Sequence, residues 1–170
     1  LFRSAVAGAG MIGQAHVRRI LDEPAAKLAA IVDPSPQAQA LAAELQVPHL
    51  ADLDEALRTI RPDGVVIATP NRLHVPQGLV AVAAGVPMLL EKPIADELAA
   101  ADELVAAAEA RAVPILVGHH RRHSPLVQRA RAVVEGGDLR TFAGVVPGDR
   151  LVLHRPFPGY TFTFQLTVPA

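Results

Sequence analysis

The sequence predicts an α/β fold: a doubly wound parallel sheet followed by an irregular or β-containing C-terminal tail. Three observations predict it. Short apolar runs that read as strands alternate with longer segments of helical period, which calls for a layered fold around a parallel sheet. The strand runs are continuously apolar, as a sheet covered on both faces requires. The first turn, Gly8-Ala9-Gly10-Met11-Ile12-Gly13, stands between a strand run and a helical one.

The elements follow in order. Ser4-Ala5-Val6-Ala7 is a short buried strand, and residues 11–22 carry a helical pattern through Ile12, Ala15, His16, Arg19 and Ile20. Residues 28–32 form a second strand, stopped by Asp33-Pro34. Residues 36–45 are an Ala-rich helix, and 47–50 a weak strand. Asp52, with Glu55 three positions on, opens a helix over 53–60 with a capping-box pattern. Residues 65–68 are a β-branched strand bounded by Asp63-Gly64 and Thr69-Pro70. A helix over 75–84 closes at Gly85, and 87–90 is a strand running into Glu91-Lys92-Pro93. Residues 96–110 give the longest helical signal, with acidic residues at its start where the helix dipole favours them. Residues 115–117 are a sixth strand, and 125–135 a last helix closed by Gly136-Gly137.

After about residue 140 the character of the chain changes. Five of the six aromatic residues (Phe142, Phe157, Tyr160, Phe162, Phe164) fall in the last 30 positions, but only one of the 17 acidic residues, Asp149, does. No helical period is present, and 162–166 alternates like an edge strand. The division is therefore one α/β domain over 1–138 and an aberrant or truncated tail over 139–170.

Composition narrows the function. With 51% hydrophobic and 19% charged residues among 170, the chain is globular rather than disordered. A net charge of −1 argues against nucleic acid as a partner. There is no cysteine, so thiolate chemistry and Cys-ligated zinc are excluded. No apolar run reaches the roughly 18 residues of a membrane span. The chain begins at Leu1 rather than Met, which leaves room for an upstream segment, and with no secretory start a cytoplasmic location is the default expectation. Of 16 basic residues only Lys27 and Lys92 are lysines. In so Arg-rich a chain a lysine draws notice, because it can be tuned to titrate and Arg cannot.

The pattern Gly8-x-Gly10-x-x-Gly13 gains meaning from its context between strand and helix. Gly8 permits the tight turn, Gly10 lets backbone approach a pyrophosphate, and Gly13 lets helix pack against strand. The helix N-terminus, at Met11 and Ile12, offers free N–H groups to phosphate. Asp33 follows Gly13 by 20 residues, where a carboxylate receives ribose hydroxyls. Its charge favours NAD over NADP, which stays the second candidate. The competing reading is a glycine-rich turn without a ligand. Together these features make a Rossmann fingerprint.

Four later stretches add a resemblance. They are Ala68-Thr69-Pro70-Asn71-Arg72-Leu73-His74, Gly85-Val86-Pro87, Glu91-Lys92-Pro93-Ile94-Ala95, and Gly118-His119-His120-Arg121-Arg122-His123-Ser124-Pro125. With the glycine fingerprint and in this order, they make residues 2–138 resemble the N-terminal domain of the glucose–fructose oxidoreductase / inositol dehydrogenase (Gfo/Idh/MocA) family. The Glu-Lys-Pro triplet is the most diagnostic. The positions agree with the physics of the fold, since Thr69, Pro70, Asn71, Glu91, Lys92 and residues 119–123 all follow predicted strands and should line one crevice.

The resemblance implies strand order 3-2-1-4-5-6 and an NAD(P)-dependent oxidoreductase acting on a sugar, polyol or related hydroxy compound. It implies that Lys92 is catalytic, polarising or helping to deprotonate the reacting hydroxyl, that Glu91 contacts the cofactor ribose, and that the bond before Pro93 is often cis. It places His120 in the crevice near the nicotinamide and gives Arg122 a structural part. Plainer readings stand beside these. Glu91-Lys92 reads also as a solvated surface pair, and His74 as the start of a helix rather than a residue positioning the cofactor loop. A metal on His119, His120 and His123 is disfavoured by Arg121 and Arg122 between them. His16, His49 and His154 read as background.

Family members carry a second, larger domain that supplies most of the substrate pocket and the oligomer contacts. No such domain is recognised here beyond a possible opening strand at 139–145, and a truncation or frame change near residue 145 would account for the shift in composition. The expectation is cofactor binding at reduced affinity, little turnover, and self-association through uncovered apolar surface. The alternatives are a non-catalytic NAD(P)-binding or interaction module and a fragment without activity.

Overall fold

The computed structural model describes residues 1–119, 123–135, 150–157 and 160–167. Residues Leu1–His119 form one compact unit. In chain order it runs β1 (Phe2–Ala7), α1 (Met11–Asp22), β2 (Ala26–Val32), α2 (Pro36–Glu44), β3 (His49–Leu50), α3 (Leu53–Ile60), β4 (Gly64–Ile67), a 3-10 turn (Asn71–Leu73), α4 (His74–Ala83), β5 (Met88–Leu90), α5 (Leu98–Ala110) and β6 (Ile115–Val117). The six strands form one parallel sheet in the order β3-β2-β1-β4-β5-β6. This is the Rossmann order that the sequence predicted.

The continuous apolar runs are explained by two cores, one on each face of the sheet. Side chains alternate across a strand, so neighbours part company. Ala5, Ala7, Ala30, Val32, Val65, Ile67, Met88 and Leu90 face α3, α4 and α5, whose Leu57, Val82 and Leu104 are buried there. Val6, Leu28, Ile31 and Val66 face the other way, onto Val17 of α1 and Ala38 and Ala42 of α2. Small residues in β1 and α2 let the layers approach closely.

Local chemistry sets most element boundaries. Ser35 caps α2 by accepting the Ala38 N–H at 3.3 Å, with Pro36 at the first helical position. Asp52 caps α3 by accepting the Glu55 N–H at 2.9 Å. Gly85 follows α4 with φ +70, a conformation that glycine adopts without penalty. Two boundaries depart from expectation. Helix α5 starts at Leu98, not at 96: Glu97 is still extended (φ −123, ψ 138), so no acidic residue sits in the first turn. Helix α4 begins at His74 itself, after the 3-10 turn.

A second unit follows Leu1–His119. Its described parts are α6 (Pro125–Glu135) and an antiparallel hairpin of β7 (Arg150–Phe157) and β8 (Tyr160–Thr167), paired from Arg150↔Thr167 to Phe157↔Tyr160. The expected alternating strand at 162–166 lies within β8. Among the described residues no helix is long and apolar enough to cross a membrane.

Candidate functional site

In an open α/β sheet the ligand crevice opens at the carboxyl ends of the strands, where the strand order reverses. Here that point lies between β1 and β4, and the turn after β1 is built into it. Gly8 N–H donates to Val32 O at 2.8 Å, and Ala68 N–H donates to Ala7 O at 2.8 Å, so the turn is tied to the ends of β2 and β4 together. Gly8 has φ +89, and a Cβ there would come within 2.6 Å of Ala68 O. Only glycine meets both demands. A Cβ on Gly13 would overlap the Gly8 carbonyl, so the first turn of α1 lies directly on the glycine turn.

Gly10 differs from both. A Cβ there would meet nothing within 4 Å, and Gly10 caps α1 without any side-chain bond. The first-turn N–H groups of α1 therefore border open space, with Met11 80% exposed beside them. This is a cradle that a side chain at position 10 would fill and that an anion suits.

Asp33 closes the rim of this cradle from the end of β2. Its Oδ2 accepts the Ala9 N–H at 2.8 Å and its Oδ1 accepts the Ser35 N–H at 2.8 Å. Burial pushes this carboxyl up. The Ala9 N–H, the side chain and N–H of Ser35, and the nearby His49 together outweigh burial and hold it below the ordinary carboxylate value. Asp33 is thus an anion fixed in orientation, with lone pairs left over for hydroxyl donors. His49 Nε2 donates to the Asp33 carbonyl at 2.8 Å.

The loops after β4, β5 and β6 complete the site. Thr69 Oγ1 donates to Gln77 Oε1 at 2.8 Å. His74 is buried, with Nε2 at 2.9 Å from Thr69 O and Nδ1 at 2.7 Å from Pro93 O. It thereby stitches the loop after β4 to the loop after β5. The Lys92–Pro93 bond is cis. Glu91 is held by its N–H on Ile67 O at 2.9 Å, and its Oε1 accepts from His16 Nε2 at 2.8 Å. Lys92 and Asn71 are exposed, and among the described residues neither side chain makes a hydrogen bond or ion pair. Pro70 is exposed in the same loop as Asn71.

The sequence-predicted residues Gly8, Gly13, Asp33, Thr69, His74 and Glu91 are therefore each fixed by contacts at the strand ends, while Gly10, Met11, Ile12, Pro70, Asn71 and Lys92 are left accessible. His120 and Arg122 lie outside the described residues. Sequence reasoning missed His16 and His49, which it set down as background, gave Ser35 and Gln77 no part, and gave Gly118 none beyond its place in a family-like stretch. For His16 a signal existed: it follows Gly13 by three, one helical turn along α1.

The residues fit a dinucleotide. An open glycine corner at a helix N-terminus faces the needs of a diphosphate, and a fixed carboxylate on its rim faces the needs of a ribose diol. Fold and site define a nucleotide-binding α/β domain. The family model of the Gfo/Idh/MocA oxidoreductases, described as an oxidoreductase family with an NAD-binding Rossmann fold, matches residues 2–119, and the chain belongs to that family.

Among its relatives, inositol 2-dehydrogenase of Leifsonia xyli is 36% identical over 139 residues, which cover 80% of this chain and 41% of the relative. Inositol 2-dehydrogenase of Corynebacterium glutamicum is 33% identical over an alignment of 175 positions, covering 98% of this chain and 49% of the relative. That alignment continues into the segment beyond 139. Among solved structures, scyllo-inositol dehydrogenase from Lactobacillus casei with bound NAD(H) and scyllo-inositol matches with a TM-score of 0.76 and 25% identity, over 81% of this chain and 42% of that one. The chain spans less than half the length of these relatives.

Proposed function

We propose that this chain is the cofactor-binding part of an NAD-dependent dehydrogenase that oxidises a hydroxyl-bearing carbon of a polyol or sugar, with cyclitols of the inositol type as the leading substrate class. The observation that carries this reading is the bonded pairing of the glycine turn with Asp33, through Ala9 N–H at 2.8 Å. Inositol dehydrogenases among the relatives support the substrate class.

In this reading Gly8, Gly10 and Gly13, with the N–H groups at Met11 and Ile12, hold the diphosphate. Asp33 accepts from the adenosine ribose, and its fixed negative charge disfavours a 2′-phosphate, so NAD is preferred to NADP. Thr69, Pro70 and Asn71 line the crevice after β4, and His74 keeps that loop in register with the loop carrying Lys92. Glu91 accepts from the ribose on the nicotinamide side. Lys92 is the catalytic residue: its side chain hydrogen-bonds the reacting hydroxyl, stabilises negative charge on that oxygen and helps pass the released proton to solvent. Bound nicotinamide supplies the hydride acceptor.

Fluorescence titration with NADH and NADPH tests the cofactor assignment. The expected result is saturable binding with NADH preferred. Gly10→Val should weaken NADH by about tenfold or more with only a small fall in melting temperature from the poorer helix cap, because a Cβ at this position meets no other protein atom within 4 Å and stands in the cradle. Silence with both cofactors, or a Gly10→Val variant that binds like the parent, overturns the reading. Lys92→Ala should keep NADH affinity within about twofold and abolish whatever NAD reduction with myo- or scyllo-inositol the parent chain shows. Turnover that survives this change removes Lys92 from the catalytic position.

A further inference from the structure

His16 and Gly118 have no part in the reading above, yet both meet Glu91. The Glu91 carboxylate sits where three elements converge. From α1, His16 Nε2 lies 2.8 Å from Oε1. From the loop after β5, the Lys92 N–H reaches Oε2 at 3.3 Å. From the end of β6, Gly118 lies so close that a Cβ on it would come within 2.9 Å of both Cδ and Oε1. The side chains of His16 and Glu91 are only 23% and 13% exposed. An ordinary surface ion pair is exposed, mobile and screened. This pair is shielded, and the absence of a side chain at 118 leaves the room that the carboxyl occupies.

We infer that His16 is a positioning residue: it fixes the Glu91 carboxylate, and with it the start of the Glu91-Lys92-Pro93 loop, for the nicotinamide-side half of the cofactor. The inference rests on the cofactor reading given above. Its physical basis is the rigidity of α1. The helix whose first turn borders the diphosphate cradle carries His16 one turn further on, so the two ends of the cofactor are referred to a single element. A glutamate has three freely rotating side-chain bonds, and a charge-assisted hydrogen bond is the means of holding its far end. With Oε1 and Oε2 each accepting one N–H, each oxygen retains a lone pair for a ribose hydroxyl.

The test compares NADH with ADP on the 170-residue chain by calorimetry. ADP reports the cradle and Asp33 alone, whereas NADH adds the second ribose and the nicotinamide. His16→Ala should weaken NADH about tenfold and leave ADP within about twofold. His16→Gln, which places an N–H donor near the same oxygen, should recover most of the loss. Gly118→Ala should give the same NADH-selective loss with His16 intact, and combining it with His16→Ala should add little, because both act through one carboxylate.

A merely structural histidine predicts another outcome: NADH and ADP weaken together, the melting temperature falls in step, and Gln does not rescue. That result overturns the inference, as does a His16→Ala variant with unchanged affinity for both ligands. Failure of the parent chain to bind ADP overturns the cofactor reading itself and the inference with it.

Discussion

Asp33 is a carboxylate committed to the fold before any ligand arrives. Its two oxygens take the N–H groups of Ala9 and Ser35, which lie in different loops. Its folded carboxyl is held below the ordinary value, so its contribution to stability is complete at neutral pH, above the unfolded value near about 4. The contribution disappears as pH falls through the lower folded value. Asp33→Asn presents one acceptor oxygen to two N–H groups, and about 1–3 kcal/mol should be lost at neutral pH. The stability gap between parent and variant, followed by thermal melting, should narrow steadily below about pH 4. A gap that stays constant down to pH 2.5 contradicts an anionic role in the fold.

His74 shows a residue whose work is legible only in three dimensions. It starts α4, as one reading of the sequence had it, but its ring bridges Thr69 O and Pro93 O, carbonyls 24 residues apart along the chain. Carbonyl oxygens only accept. Either neutral tautomer provides one of the two hydrogen bonds, and the imidazolium provides both.

Among the elements, α4 and α5 show how packing is set by a small residue against a large one. Leu104 of α5 is fully buried and lies over Gly78 of α4, where a Cβ would come within 2.9 Å of its methyl groups. Leu104→Ala should cost about 2–5 kcal/mol in denaturant unfolding, because the backbone at Gly78 offers no side chain to fill the cavity. Loss of less than about 1 kcal/mol would mean that the two helices close up.

Element boundaries were legible where two signals coincide, as at Asp52 with Glu55. The start of α5 was misread because acidic residues near a helix start imitate a first turn. Glu97 is extended in the fold, and a single preference of this kind does not outweigh the path of the loop that carries Lys92.

For the molecule as a whole, the crevice is where distant segments become neighbours. Residues from β1, β2, β4, β5 and β6 all reach it, and the sheet order makes their carboxyl ends adjacent. A ligand that binds the assembled crevice and not the unfolded chain must stabilise the whole unit. NADH at one hundred times its dissociation constant should add about 2.7 kcal/mol to the unfolding free energy of Leu1–His119. A melting temperature indifferent to NADH would mean that the crevice does not take it.

Much of this was readable along the chain. Apolar runs, helical periods, caps and the glycine spacing are short-range features, and short-range sterics and hydrogen bonding are enough to specify strands, helices, their alternation and the likeness of the turn to a dinucleotide cradle. The choice of which polar groups meet was settled elsewhere. His16 and Glu91 are 75 residues apart, and His49 reaches the carbonyl of Asp33 from another strand. A hydrogen bond acts over about 3 Å, so partners this remote in the chain are chosen by the order of strands in the sheet and by the side of it on which each helix returns.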